Sequence, residues 1–411
     1  MVAKSSQLLA VDSLRRWTRL QPYSNLAAVG FEYACLLVVH AATILFLLQR
    51  EDWGLPVWMT VPVGLVTFVF TGVVLHRIGL LGHESSHHLL LPNRFWNDVI
   101  ANLTCFFPLW SSLTSYRAKH SGHHLHPNDP EHDPNWAGDK AADLYARFPM
   151  PRPSFILQYY VKFFWPPFVL RNLVDLTKVL SVGSGPKSGA RRPWFKSPTL
   201  CGLLSLLLMI GVTRVSEINL VGAWVLLPPA AFLLTVLGIM ALIPASFYEG
   251  GAAGGLAYSR KWGALYRLGF HGVVFLLLCG LQILTGLPIT LYYALFWILP
   301  LVYVFPYLML LREVYQHANL GTGKLDNSRI IHADPFTRWA VLGYGNDFHL
   351  VHHIYPNIPH YNLRGAHDEL METSESYRAQ FEETVGTFRA PSGKRSLLDS
   401  LTGRHRQATG W

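Results

Sequence analysis

The chain has 411 residues, of which 51% are hydrophobic and only 14% charged. That is too apolar for an ordinary soluble protein of two or three domains. The formal charge is +9, and no nucleic-acid-binding pattern accompanies it.

Residues 1–26 form an N-terminal segment. Positions 7–20 carry Arg15, Arg16 and Arg19 on an amphipathic stretch suited to lying on the inner leaflet, unlike a cleavable signal. A membrane domain, 27–375, follows. Val57 to Leu75 runs nineteen residues without a charge, long enough to cross a bilayer core as a helix. Ile218 to Tyr248 is longer still. Leu268 to Leu311 has no formal charge and is interrupted only by His271. As one helix it would measure roughly 66 Å, about twice the hydrocarbon thickness, so it folds back at Gly286-Leu287-Pro288. The expected spans are about 27–48, 57–80, 198–213, 219–243, 265–285 and 289–311. Of the 34 Lys and Arg, only Arg50 and Arg214 then lie on the far side. The positive-inside rule places both termini and every histidine cluster in the cytoplasm.

Val99 to Ser115 is apolar but short, and parity makes it a re-entrant or interfacial helix. Residues 125–197 form the longest cytoplasmic segment. Within it, Phe155 to Leu170 contains Trp165-Pro166-Pro167 and suits an interfacial helix in two pieces, and Ser181 to Ser188 is a loop. Gly250-Gly251-Ala-Ala-Gly254-Gly255 lacks the strand–glycine–helix context of a phosphate loop. Residues 376–411 are a helix end and basic tail, mobile from about 391. Cys35, Cys105, Cys201 and Cys279 show no CxxC pairing and read as buried thiols.

Ten of the nineteen histidines fall into four groups at or just past the ends of apolar stretches. They are His83-Glu-Ser-Ser-His87-His88, His120-Ser-Gly-His123-His124, the lone His317, and His349-Leu-Val-His352-His353. On a helix, positions three and four apart share a face. Imidazole is the commonest ligand for borderline transition metals, and this many exceeds what one tetrahedral zinc uses. Two metals at a membrane edge follow. A site facing unactivated C–H bonds favours a redox metal with dioxygen, hence iron over zinc. Glu313, one turn before His317, is either a ligand, a holder of metal-bound water or of His317, or half of an ion pair with Arg312 or Arg117.

The clusters resemble the histidine boxes of the membrane fatty acid desaturase family, non-haem diiron oxygenases that also include hydroxylases and carotenoid ketolases. The order HExxHH, HxxHH, isolated His, HxxHH is shared. So is the flanking text His124-Leu-His126-Pro-Asn128-Asp129-Pro-Glu-His132-Asp133-Pro and Asn346-Asp-Phe-His349-Leu-Val-His352-His353-Ile-Tyr-Pro356-Asn-Ile-Pro359-His-Tyr361-Asn-Leu363. The resemblance covers roughly residues 30–375. It implies an all-α integral membrane protein of four to six spans, with a helical cytoplasmic cap holding a diiron site above a lipid tunnel. The implied ligands are His83, His87, His88, His120, His123, His124, His317, His349, His352 and His353, with either His87 or His88 outside the inner set. Glu313 stands where related enzymes place an Asn near one iron. Many lipid desaturases carry Asp where this chain has Glu84, whereas related alkane hydroxylases carry Glu.

His83-Glu84-Ser85-Ser86-His87 also satisfies the zinc-protease HExxH pattern, which needs none of the other clusters. A metal transporter would instead need ligands in mid-span, where only His40 and His271 lie, both suited to packing. His76, two turns before His83, either lines the approach or is structural. His126, His132, His332, His360 and His367 fit the surface or the surroundings of the ligands. Asp129, Asp133 and Asn346 either orient imidazoles or shape turns. The expected activity is O2-dependent desaturation of a fatty acyl chain of a lipid, with hydroxylation or ketolation of an alkyl lipid or carotenoid as the alternative. No electron-carrying module is visible, so an external donor of the ferredoxin or cytochrome b5 type is expected.

Overall fold

The computed structural model describes residues 8–21, 23–135, 148–162, 165–167, 198–248, 255 and 257–403. Six helices are long and apolar enough to cross a membrane: Ser24–Gln49, Val57–Ser86, Leu200–Asn219, Gly222–Leu242, Arg260–Thr285 and Ile289–His317. We call these α1 to α6. The second and sixth run several residues past the expected apolar limits, to Ser86 and His317. Both stay helical because no proline intervenes in either extension. The first histidine box thus begins in the last turn of α2, and His317 is the last residue of α6.

The two helices that end at the clustered histidines also pack intimately. A Cβ on Gly72 of α2 would come within 2.3 Å of the Val304 side chain of α6. Only a residue without a side chain allows that approach. Around this contact Val73, Leu308, Leu311 and Val314 form one apolar cluster. Val74, Leu75, Ile78 and Leu81 face the other way, against Val29 and Leu36 of α1 and Cys105 and Phe106. The third to fifth helices make a separate cluster through Met209, Leu233, Met240, Leu265 and Leu268.

Val99 to Ser115 does not form a span. Arg94–Ala101 is helical and Asn102–Phe106 continues as a wide turn. The chain then breaks, and a new helix, α7 (Leu113–Leu125), begins at the Ser112 cap. The cap beyond the long helices also contains α8 (His349–Ile354), α9 (Leu363–Thr373) and a two-stranded parallel sheet. Strand β1 (Arg329–His332) pairs with β2 (Glu382–Val385) in the register Arg329↔Glu382 to His332↔Val385. Among the described residues these are the only strands.

Two terminal expectations need correction. The stretch from 391 is not a mobile tail as far as 403. A capping box at Ser396 and Asp399 starts a helix, Leu397–Thr402, that buries Leu397, Leu398 and Leu401 against the α2–α6 cluster. Nor is the apolar side of the N-terminal helix, Val11–Trp17, turned to lipid. Leu14 and Trp17 pack on the cap core behind the buried Leu9. Trp17 Nε1 donates to Glu369 of α9 at 2.8 Å, and Arg16 pairs with the same carboxylate. Of the 155–170 reading, Arg152–Ile156 and a wide turn at Leu157–Val161 are seen. Its second piece is described only at 165–167. The loops at 181–188 and 250–254, and residues 404–411, lie outside the described residues. All four cysteines are free thiols; Cys105 and Cys279 are buried, Cys35 and Cys201 half-buried.

Candidate metal centre

Nine histidines converge in two groups. His83, His87, His120, His124 and His352 form one; His123, His317, His349 and His353 form the other. Within each group one ring nitrogen of every member lies within 4.8 Å of the rest. Helical phase explains the sorting. In α7, His120 and His124 are one turn apart and enter the first group, while His123 enters the second. In α8, His349 and His353 enter the second, while His352 crosses to the first. Each HxxHH helix therefore serves both groups. Gly345 makes the second placement possible: at φ +68 it turns the chain into α8, and a Cβ there would lie 2.5 Å from the His360 carbonyl.

The nitrogens sit where ligands of a common ion would. His87 Nε2 is 2.9 Å from His120 Nε2, and His124 Nε2 is 3.0 Å from His120 Nε2 and 3.1 Å from His352 Nε2. In the second group His317 Nε2 is 2.9 Å from His349 Nε2 and 3.3 Å from His123 Nε2, and His353 Nε2 is 3.2 Å from His349 Nε2. Ligands at about 2.1 Å from one ion and at right angles are roughly 3 Å apart. Both ring nitrogens of His83, and Nδ1 of His349 and His352, are buried without a protein partner. Such orphaned groups are costly unless something else satisfies them. The residues present therefore fit a pair of metal ions.

Electrostatics agree. Burial first, and then neighbouring imidazoles, hold His120, His349, His352 and His353 well below the ordinary range. The same causes bring His124 down to about 2. These rings are neutral at physiological pH and keep a lone pair for a cation. No carboxylate belongs to either group, and imidazole suits iron, zinc and copper alike.

Supporting contacts fix the rings. His123 Nδ1 donates to Asp133 Oδ2 at 2.9 Å, and His317 Nδ1 donates to the Asn327 carbonyl at 3.0 Å, leaving each Nε2 free to face the group. Tyr116 stacks on His120 with ring centroids 5.3 Å apart. Asp133 also accepts from the backbone of Asn128 and of Asn135, and Asn135 Nδ2 donates to Glu313 Oε1 at 2.7 Å. Asn128 donates to the same Asn327 carbonyl that holds His317.

The remaining candidates are placed as follows. His88 joins neither group: the helix has ended, the residue adopts φ +61, and its Nδ1 lies 3.8 Å from Asp98. Glu313 lies outside both groups. Among the described residues it forms no ion pair with Arg312 or Arg117, and Arg117 is held by Asp98 at 2.6 Å and by the Ser86 carbonyl at 3.0 Å. Glu84 accepts from the His360 backbone at 2.9 Å, tying the first box to the chain after α8. His76 is fully buried and bonds the Ala340 carbonyl at 3.0 Å, a structural role. His40 bonds Thr71 and His271 lies against Trp110, both packing roles. Asp129 holds the exposed His132 and its own turn; Asn346 bonds the Gly343 carbonyl. His332 pairs with Glu383, and His367 bonds Tyr377. Residues with no early signal include Asn327, which acts through its carbonyl, and Tyr116. Asn135 stood two residues past Asp133 in the polar run and could have been found there.

A fatty acid desaturase family model matches residues 56–254 and 251–384. The chain is 23% identical over 337 residues to a chloroplastic omega-6 fatty acid desaturase of Arabidopsis thaliana, covering 81% of this chain and 57% of that protein. It is 30% identical over 86 residues to an sn-1 oleoyl-lipid 12-desaturase of Anabaena variabilis, covering 20% of this chain and 23% of that protein. A dihydrorhizobitoxine desaturase of Bradyrhizobium elkanii is 23% identical over 332 residues, 80% of this chain and 73% of its own length. The first two alignments span less than two thirds of those proteins.

Proposed function

Because this chain belongs to the fatty acid desaturase family, we propose that it introduces a double bond into a fatty acyl chain of a lipid, with iron in the two histidine groups and O2 as co-substrate. The observation that supports this most is the pair of buried, all-imidazole groups at the ends of two apolar helices. Iron held there would supply the O2 activation that removal of hydrogen from an unactivated methylene requires. In overall balance, O2, two electrons, two protons and a –CH2–CH2– unit give –CH=CH– and two waters. The electrons come from an external donor of the ferredoxin or cytochrome b5 type.

The chain's own residues perform the positioning. Nine histidines offer ring nitrogens, and Asp133 and the Asn327 carbonyl orient two of them. Glu313, held by Asn135 one turn before His317, is a polar positioning group beside the second set. Basic residues flank the helix ends that carry the histidines, which supports a cytoplasmic site with both termini on that side. The acyl chain reaches the site from the membrane, and the distance along it selects the carbon attacked. Glu84 is engaged by the His360 N–H instead of standing free as a protease base. The mid-span His40 and His271 are used in packing, which removes the support a metal transporter would need.

Lipids from a bacterial host expressing the chain with a ferredoxin system, compared with the His352→Ala variant, test the reading. Acyl chains lacking two hydrogens only with wild type are expected. Chains that gain an oxygen would instead establish a hydroxylase. An unchanged lipid profile from iron-loaded, reducible protein would refute both.

A further inference from the structure

A second polar site lies beside the metal centre. A cavity of about 600 Å³ opens between α2, the segment 333–348 and the start of α9. Three arginines line it, Arg77, Arg338 and Arg364, against a single lining carboxylate, Asp347. Each arginine comes from a different element. Arg77 forms the fixed wall: it pairs with Glu32 at 2.8 Å, donates to the Trp339 carbonyl at 2.9 Å and lies 4.8 Å from the Tyr344 ring centroid. Arg338 pairs with Asp347, its Nε 3.0 Å from Oδ2. Arg364 is exposed and makes no ion pair among the described residues.

Asp347 supplies the independent sign of a ligand. It is 4% exposed, lines the cavity, and leaves its Oδ1 buried without any partner. A buried carboxylate oxygen in that state calls for a donor. The cavity thus asks for two things at once: an anion for the arginine forks, and a hydroxyl or ammonium close to it for Asp347. Its position links it to the metal groups. Asp347 is two residues before His349, Arg77 is on α2 six residues before His83, and His360 at the wall bonds Glu84 through its backbone.

We propose that this cavity binds the phosphate-bearing head group of a membrane lipid. Arg338 and Arg364 take the phosphate, and Asp347 accepts from a neighbouring hydroxyl or ammonium. This rests on the acyl-chain reading above and narrows it to chains still attached to a phospholipid.

The test is binding to the purified full chain in detergent, followed by calorimetry. The probes are dihexanoylphosphatidylglycerol, dihexanoylglycerol and inorganic phosphate. The phospholipid is expected to bind about tenfold more tightly than dihexanoylglycerol, and Arg364→Gln or Arg338→Gln to remove about tenfold of that affinity, as loss of a charge-assisted bond would. Arg364→Gln is the decisive variant, since that side chain is exposed and forms no ion pair among the described residues. Equal binding by wild type and both variants would overturn the proposal, as would equal affinity for the phosphate-free lipid. Inorganic phosphate binding as tightly as the phospholipid would overturn the lipid source and leave a free-anion site. Arginine-dependent binding in a chain that leaves acyl groups unchanged would refute the desaturase reading alone. Desaturation with arginine-independent binding would refute the head-group site alone.

Discussion

His123 and His352 occupy the same position in their HxxHH helices, and each serves the group opposite to its two helix neighbours. The exchange ties the two candidate metal positions together through rigid elements. It also makes the groups unequal, five imidazoles against four. His123→Ala leaves three imidazoles in the second group, whereas His352→Ala leaves four in the first. The expected result is that His123→Ala loses more iron per chain than His352→Ala, with both losing turnover while still inserting in the membrane. Iron content by plasma mass spectrometry on purified protein checks it. Two variants that retain wild-type iron would contradict the assignment of either residue as a ligand.

The adjacent pair His87 and His88 separates in the same way. His87 faces His120, while His88 has turned back toward Asp98. His88→Gln is expected to keep iron within about twofold of wild type, and His87→Gln to lose iron from the five-membered group, since ligand loss is far costlier than an outer change. An equal loss from both would place His88 among the ligands.

Asp133 carries more than its own ring contact. It joins His123 to the Asn128 and Asn135 turns, and through Asn135 reaches Glu313. Asp133→Asn retains the shape but removes the charge that favours the Nδ1–H tautomer. About 10- to 100-fold weaker metal retention is expected, by analogy with other outer-sphere carboxylates. Competition with a chelator of known affinity measures this directly, and no change would assign Asp133 to turn formation alone.

The six spans and the ten histidines were legible because long uncharged runs and one-turn spacings are local properties. What joined them was not. The assignment of His352 to the group of His83 depends on how α8 meets α2, and no short-range pattern encodes that. The β1–β2 pairing brings Arg329 beside Glu382, 53 positions further along the chain, in four-residue strands too short to announce themselves. The last helix carried a clear cue, Ser396 and Asp399 three residues apart among Leu397, Leu398 and Leu401, yet the basic residues around it dominated the composition. The N-terminal helix was amphipathic as expected, but amphipathicity does not say whether lipid or protein covers the apolar side. His88 illustrates the limit most sharply: two residues past a helix end, a change of backbone sign removes it from the site.

The C-terminal helix gives a stability test independent of chemistry. Leu401 is fully buried in the cluster shared with α2 and α6. Leu401→Ala is expected to destabilise the cap by about 2–5 kcal/mol, and loss of the cap in Ser396→Ala by about 1 kcal/mol. Thermal unfolding in detergent should show the larger shift for Leu401→Ala. Unfolding curves identical to wild type would show that this segment is not docked in solution.

Acid should weaken the cap for a separate reason. His120, His349, His352 and His353 are held below the ordinary imidazole range chiefly by burial, and His360 is lowered to about 4 by the same cause. Unfolded, each would titrate near the usual value of about 6.5. Below that pH the unfolded chain takes up protons that the folded chain refuses, so stability is full above about 6.5 and falls as the pH drops toward the folded values. Metal-free protein is expected to melt at progressively lower temperature from pH 6.5 to pH 5, and metal-loaded protein to resist the change until the ions leave. A melting temperature independent of pH across that range in the metal-free protein would mean that these rings are hydrated in solution and not buried together.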